Sequence, residues 1–169
     1  YQMIAVNHAL THHKALLLSP TASGKSLIIY ILIRYLKLKT LILVPTISLV
    51  SQMYNDFRQY GFDVANNCHT VFAGRDKGSE LPIIISTWQS IYKMQQKYFE
   101  QYELVIGDEA HGFKSKSLTS IMTKCINAKY RIGTTGTLDG TLTHRLVLEG
   151  LFGKTFKVTS TKKLIDSKY

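Results

Sequence analysis

The sequence has no apolar run approaching the roughly 18 residues that a membrane-spanning helix requires. It contains only two cysteines and three prolines. Cys68 and Cys125 form no C-x-x-C pair and stand in no histidine-flanked cluster, which excludes a disulfide framework or a zinc-ligand pattern at this spacing. Both read as reduced thiols of a soluble cytoplasmic protein, and no charged-then-apolar leader precedes them. Acidic residues are scarce as well: 11 against 21 Lys and Arg, a formal net charge of +10. Such an excess concentrates polyanions near a surface without naming one. No repeat, low-complexity tract or linker interrupts the chain, so residues 1–169 read as one domain. The sequence opens on Tyr1 rather than Met and reads as part of a longer chain.

What is present alternates. Apolar runs at 15–18, 40–44, 82–86, 103–107 and 130–133 read as buried strands, separated by helical patterns from 25, from 48 to Gly61, around 88–99 and around 116–127. Ser48 is positioned to cap the second of these helices. Continuously aliphatic strands between helices predict an α/β fold, a mostly parallel central sheet with helices on both faces. The tail from Gly153 carries Lys154, Lys157, Lys162, Lys163 and Lys168 against Asp166 alone and reads as a solvated edge.

One more absence carries the functional reading. The stretch Ser19-Pro-Thr-Ala-Ser-Gly-Lys-Ser26 follows the first strand and opens a helix, as a phosphate-binding loop does, but Ser19 stands where the pattern G-x-x-x-x-G-K-[ST] has its first glycine. The remaining parts suffice for the chemistry. Backbone N–H groups and a helix N-terminus face an anion, Gly24 permits close approach, Lys25 supplies a cation to the β and γ phosphates, and the Ser26 hydroxyl is a Mg²⁺ ligand. A second acidic site stands at another strand end, Asp108-Glu109-Ala110-His111. In an open parallel sheet ligands gather at the carboxyl ends of strands. Asp108 is placed to hold Mg²⁺ and Glu109 to deprotonate a water attacking the γ-phosphate.

Together, SPTASGKS and GDEAH resemble the nucleotide site of superfamily 2 helicases and translocases, whose loop often reads P-T-x-x-G-K-[ST] without the leading glycine. The resemblance covers the whole chain and is closest in texture to phage recombination and repair helicases of the UvsW type. It implies a RecA-like P-loop NTPase fold, the first of two motor domains. ATP and Mg²⁺ are implied at Pro20, Thr21, Ala22, Ser23, Gly24, Lys25 and Ser26, with Gln2, at the end of a partial R-P-Y-Q motif, facing adenine. It further implies a nucleic-acid path along Pro45, Thr46, Gln52, Thr87 and Trp88. His111, Thr135 and Thr137 would couple the two sites, with Gly136 standing where motif III of the family has alanine. Read alone, Thr46 and Gln52 are a helix-start and an exposed helix residue, and Trp88 a core aromatic.

The implied partners are DNA, single-stranded or branched and read without sequence preference, RNA as an alternative, and a second RecA-like domain that supplies arginines. The implied compartment is the cytoplasm, the host's if the source is a phage. A duplex translocase is the rival reading. A fold that retains nucleic-acid binding but has lost catalysis would be marked by erosion of Lys25, Asp108 or Glu109, and all three are present.

Overall fold

The computed structural model describes residues 1–20, 22–138, 140–159 and 163; Thr21 of the loop and the tail residues Lys162, Asp166 and Lys168 lie outside these. Seven strands, β1 (Lys14–Leu18), β2 (Thr40–Val44), β3 (Cys68–Val71), β4 (Ile83–Thr87), β5 (Leu104–Gly107), β6 (Tyr130–Thr135) and β7 (Thr155–Lys157), form one sheet in the order β3-β4-β2-β5-β6-β1-β7. Every pairing is parallel. All strand carboxyl ends therefore lie along one edge, where the candidate residues of the sequence stand.

The aliphatic runs of the central strands reflect burial on both faces. Ala15, Leu17, Ile42, Val44, Ile83, Ile85, Leu104 and Ile106 point into one core, and the alternate residues Leu16, Leu41, Leu43, Ile84 and Val105 into the other. The first core is covered by α1 (Gln2–His12), α2 (Lys25–Leu36), α3 (Ile47–Gln59) and the short α4 (Val64–Asn67). The second is covered by α5 (Trp88–Ile91), α6 (Gln96–Phe99), α7 (Ser115–Lys124) and α8 (Leu142–Phe152). Cys68 and Cys125 sit in different cores, and burial pushes both thiols up to about 12, which keeps them protonated and inert.

Several elements differ from the sequence expectation. The cap of α3 is Thr46, whose side chain accepts from the Leu49 N–H at 3.3 Å, while Ser48 lies within the helix and bonds back to Thr46. The stretch 88–99 breaks into α5 and α6. Part of the basic tail, read as a solvated edge, enters the sheet as β7, with Phe156 stacked 3.9 Å from His8 of α1. The charge excess is also partly internal. Lys39, Lys124 and Arg131 each donate to two backbone carbonyls, Arg131 at the end of α7 through Met122 and Cys125.

Two glycines set the position of α8. Gly107 and Gly133 are paired across β5 and β6, and the ring of fully buried Phe152 fills the space over them. A Cβ at Gly133 would come within 2.8 Å of Leu16 and 2.9 Å of Phe152, neither of which has room to move. Gly133→Ala should therefore lower stability by about 1–3 kcal/mol through overpacking. A urea denaturation midpoint equal to that of the unaltered protein would contradict this packing.

Candidate nucleotide site

The loop after β1 is braced internally. Ser19, fully buried, bonds through its hydroxyl to the hydroxyl of Ser23, and its N–H donates to the Thr135 carbonyl at 2.9 Å. The residue that departs from the glycine pattern thus ties the loop to β6. Ala22 and Gly24 adopt left-handed conformations, φ 64° and 77°, which turn the chain into α2. Gln2 donates to the Ser23 carbonyl at 3.3 Å and lies so close to Gly24 that any Cβ there would meet its amide nitrogen at 2.1 Å. It packs on the loop and does not line the cleft described next.

Above the loop lies a cleft of about 380 Å³, lined by Ala22, Gly24, Lys25, Ser26, Leu49, Gln52, Met53, Asp56, Tyr60, Asp108 and Glu109. Lys25, the first residue of α2, places its amine 3.2 Å from Glu109 Oε1. Asp108 is 7% exposed and accepts a hydrogen bond from Thr134, while its own N–H donates to the Leu43 carbonyl at 2.9 Å. Burial pushes its carboxyl above the ordinary value, and the charge of Glu109 adds to this; the Thr134 hydroxyl and the Lys25 amine act the other way.

Glu109 itself has a left-handed backbone, φ 51°. This costs a side-chain-bearing residue energy and is characteristic of functional turns. The turn aims Glu109 at Lys25 and starts the single 3-10 turn Ala110–Gly112 that carries His111.

His111 Nδ1 lies 3.5 Å from Glu109 Oε2 and 2.7 Å from Thr135 Oγ1. The Thr135 hydroxyl donates its one proton to the Thr137 carbonyl at 2.8 Å, so it accepts from His111, which fixes the tautomer with hydrogen on Nδ1. A polar chain thus runs Lys25, Glu109, His111, Thr135, Thr137. His144 supports it: Nδ1 bonds the Ser115 hydroxyl at 2.9 Å and Nε2 lies 3.3 Å from the His111 carbonyl.

The expected nucleic-acid contacts divide. Pro45 and Thr46 stand at the open end of β2, beside the end of β4, where Val44 pairs with Thr87. Trp88 instead turns into the core, 7% exposed, against Tyr92, as its plain reading has it. Thr87 is 4% exposed and bonds Ser90. Gln52, an exposed residue of α3, lines the cleft beside the phosphate loop. Gly112 packs on Pro45, where a Cβ would come within 3.2 Å, so the turn that carries His111 lies against the end of β2.

Thr134, Tyr60, Asp56 and His144 were not foreseen. Thr134 stands beside the Thr135 that was singled out; Asp56 and Tyr60 come after Gln52, near and just beyond the end of α3, and His144 lies on α8, in stretches that carried no motif.

The donor set fits a hard cation. Asp108 is a buried carboxylate with no ion-pair partner among the described residues, and the Ser26 hydroxyl lines the same cleft. One or two oxygen ligands plus substrate phosphates is how Mg²⁺ is usually held, in contrast to a cage. Among the described residues no group of three or more His, Cys, Asp or Glu is placed to bind a metal without them.

A parallel α/β sheet with a phosphate-type loop and a DEAH turn side by side is the architecture of a helicase-type RecA-like domain. The chain belongs to the family described as the Type III restriction enzyme, res subunit, whose model matches residues 1–140. It is 32% identical over 174 residues to the ATP-dependent DNA helicase uvsW of Enterobacteria phage T4, covering 98% of this chain and 35% of that protein. It is 29% identical over 181 residues to the DNA 3'-5' translocase XPB2 of Sulfurisphaera tokodaii, covering 99% of this chain and 40% of that protein.

The chain therefore spans little more than a third of the length of these relatives. The crystal structure of the UvsW helicase from bacteriophage T4 matches with a TM-score of 0.84 at 34% identity, covering 93% of this chain and 58% of that one. The Sulfolobus solfataricus SWI2/SNF2 ATPase core in complex with dsDNA shares the fold, with a TM-score of 0.70 at 18% identity over 90% of this chain and 35% of that one. Among the described residues no helix is long and apolar enough to cross a membrane.

Proposed function

We propose that this domain is the ATP-binding half of a superfamily 2 DNA motor that couples ATP hydrolysis to unwinding or branch migration in recombination and repair. The observation that carries the reading is the polar chain from Lys25 through Glu109 and His111 to Thr135 and the Thr137 carbonyl. It joins the phosphate loop and the turn after β5 to the carboxyl end of β6.

Ser26 and Asp108 would hold Mg²⁺, which neutralises charge on the β and γ phosphates. Lys25 leaves Glu109 for the incoming γ-phosphate. Glu109, released, orients and deprotonates the attacking water. His111 registers that change, because its ring is held between Glu109 and Thr135. Gln2 contacts adenine from the edge of the loop. Pro45 and Thr46, with main-chain atoms near Thr87, hold the strand backbone without reading bases.

DNA is the favoured strand over RNA, since both full-length relatives above carry DNA in their names. A second RecA-like domain of the same protein would supply arginines that stabilise transition-state charge. The rival reading, duplex translocation without strand separation, is favoured by the XPB2 relative. Strand displacement measured beside triplex displacement on the full-length protein separates the two, because only a helicase releases the complementary strand. Failure in both assays would contradict a DNA motor of either kind.

His111→Ala gives a narrower test. It should leave Mg²⁺·ATP affinity within about twofold while lowering DNA-stimulated turnover by about 2- to 30-fold, the scale of a coupling energy of about 0.5–2 kcal/mol. Undiminished stimulation by DNA would remove His111 from the coupling path.

A further inference from the structure

We infer that Tyr60 is a positioning residue for the metal ligand Ser26, an inference that rests on the nucleotide-site reading above. The Tyr60 hydroxyl lies 2.8 Å from Ser26 Oγ, across 34 residues of sequence. It enters from just beyond the end of α3 and lines the same cleft as Lys25, Asp108 and Glu109. Its ring is fixed independently of the site, 5.2 Å from Tyr30 of α2, which in turn packs on Phe57.

A serine hydroxyl has one proton and two lone pairs. To ligand a cation it must turn a lone pair toward the metal and send its proton elsewhere. Asp108 does not take that proton: the bond it accepts from a hydroxyl comes from Thr134. Tyr60 does. A cation held at Ser26 Oγ would polarise the O–H bond, leaving Ser26 as the donor and the phenolic oxygen as the acceptor. The hydrogen bond then orients the ligand as an outer-shell partner orients a metal-bound side chain.

Loss of such a partner typically weakens metal binding by about 10- to 100-fold. Tyr60 is 37% exposed, so water replaces part of its role and the low end applies. Calorimetric titration of the full-length protein with a non-hydrolysable ATP analogue, in Mg²⁺ and in EDTA, tests this with Tyr60→Phe, Ser26→Ala and the double variant. Tyr60→Phe keeps the ring on Tyr30 and should keep the thermal midpoint. The expected result is about tenfold weaker binding in Mg²⁺, unchanged binding in EDTA, and a double variant no weaker than Ser26→Ala alone.

Equal Mg²⁺-analogue binding by Tyr60→Phe would overturn the inference, and tighter binding would overturn it and mark Tyr60 as a blocking contact. An equal loss in EDTA would overturn it in favour of plain packing. If the unaltered protein binds no nucleotide in Mg²⁺, the nucleotide-site reading fails first and the inference with it.

Discussion

Replacing Lys25 by alanine in the full-length protein is expected to abolish ATP turnover, a loss of at least about 10³-fold, while DNA binding is largely retained. The effect is large because the lysine is the cation aimed at the transferring phosphoryl group. Removing one preorganised charge-stabilising donor already costs about 10²–10³ in rate, and phosphoryl transfer depends almost wholly on such stabilisation. The position itself argues for function over stability. Lys25 opens α2 with no acidic residue in the first turn, so its charge opposes the helix dipole. The side chain is only 10% exposed, held by its ion pair to Glu109. The alanine variant should therefore fold, and circular dichroism with a melting curve checks this beside the ATPase assay. Turnover that survived would remove the loop from the chemistry.

Replacing Glu109 by glutamine should separate binding from hydrolysis. General-base catalysis is worth about 10²–10⁴, and turnover should fall by that factor. Nucleotide binding should be kept or strengthened, because the carboxylate that holds Lys25 at 3.2 Å is gone and the amine no longer needs to exchange partners. Glutamine keeps the volume and side-chain length in the left-handed turn, so the variant tests charge more than shape. Single-turnover hydrolysis together with binding of Mg²⁺·ATP reads both halves. Weaker binding with undiminished turnover would reverse the roles assigned to Lys25 and Glu109.

The fold was legible where burial leaves a strong pattern. The strands 15–18, 40–44, 82–86, 103–107 and the start of β6 read as aliphatic runs because helices cover them on both faces. The edge strands were not legible: β3 has two half-buried polar residues among four, and β7 is three residues, two of them half-buried and one exposed. Their strand character comes from pairing with β4 and β1 and not from their own sequence.

At the candidate site, Lys25 and Ser26 were legible in the loop that follows β1, and Asp108 and Glu109 directly after β5, because each pair falls within a local pattern. Thr134 and Tyr60 were not, since what defines them is contact with Asp108 and Ser26, at sequence separations of 26 and 34. Trp88 shows the converse. The resemblance assigned its ring to the nucleic-acid path, but a large apolar side chain at the start of α5 finds a core cavity, and that packing decides its direction.

Ser19 stands between these cases. Its place in the loop was visible, but its function as a brace lies in contacts that no local pattern marks, its hydroxyl on Ser23 and its N–H on the Thr135 carbonyl.

The most direct measurement is steady-state ATP hydrolysis by the full-length protein without nucleic acid and with single-stranded, duplex and branched DNA and RNA, across a salt series. A DNA motor gives slow basal turnover, strong stimulation by DNA independent of base sequence, and an apparent DNA affinity that falls steeply as salt rises, because phosphate contacts release counterions. Turnover that is indifferent to every nucleic acid at low salt would contradict the motor, whatever the nucleotide site binds.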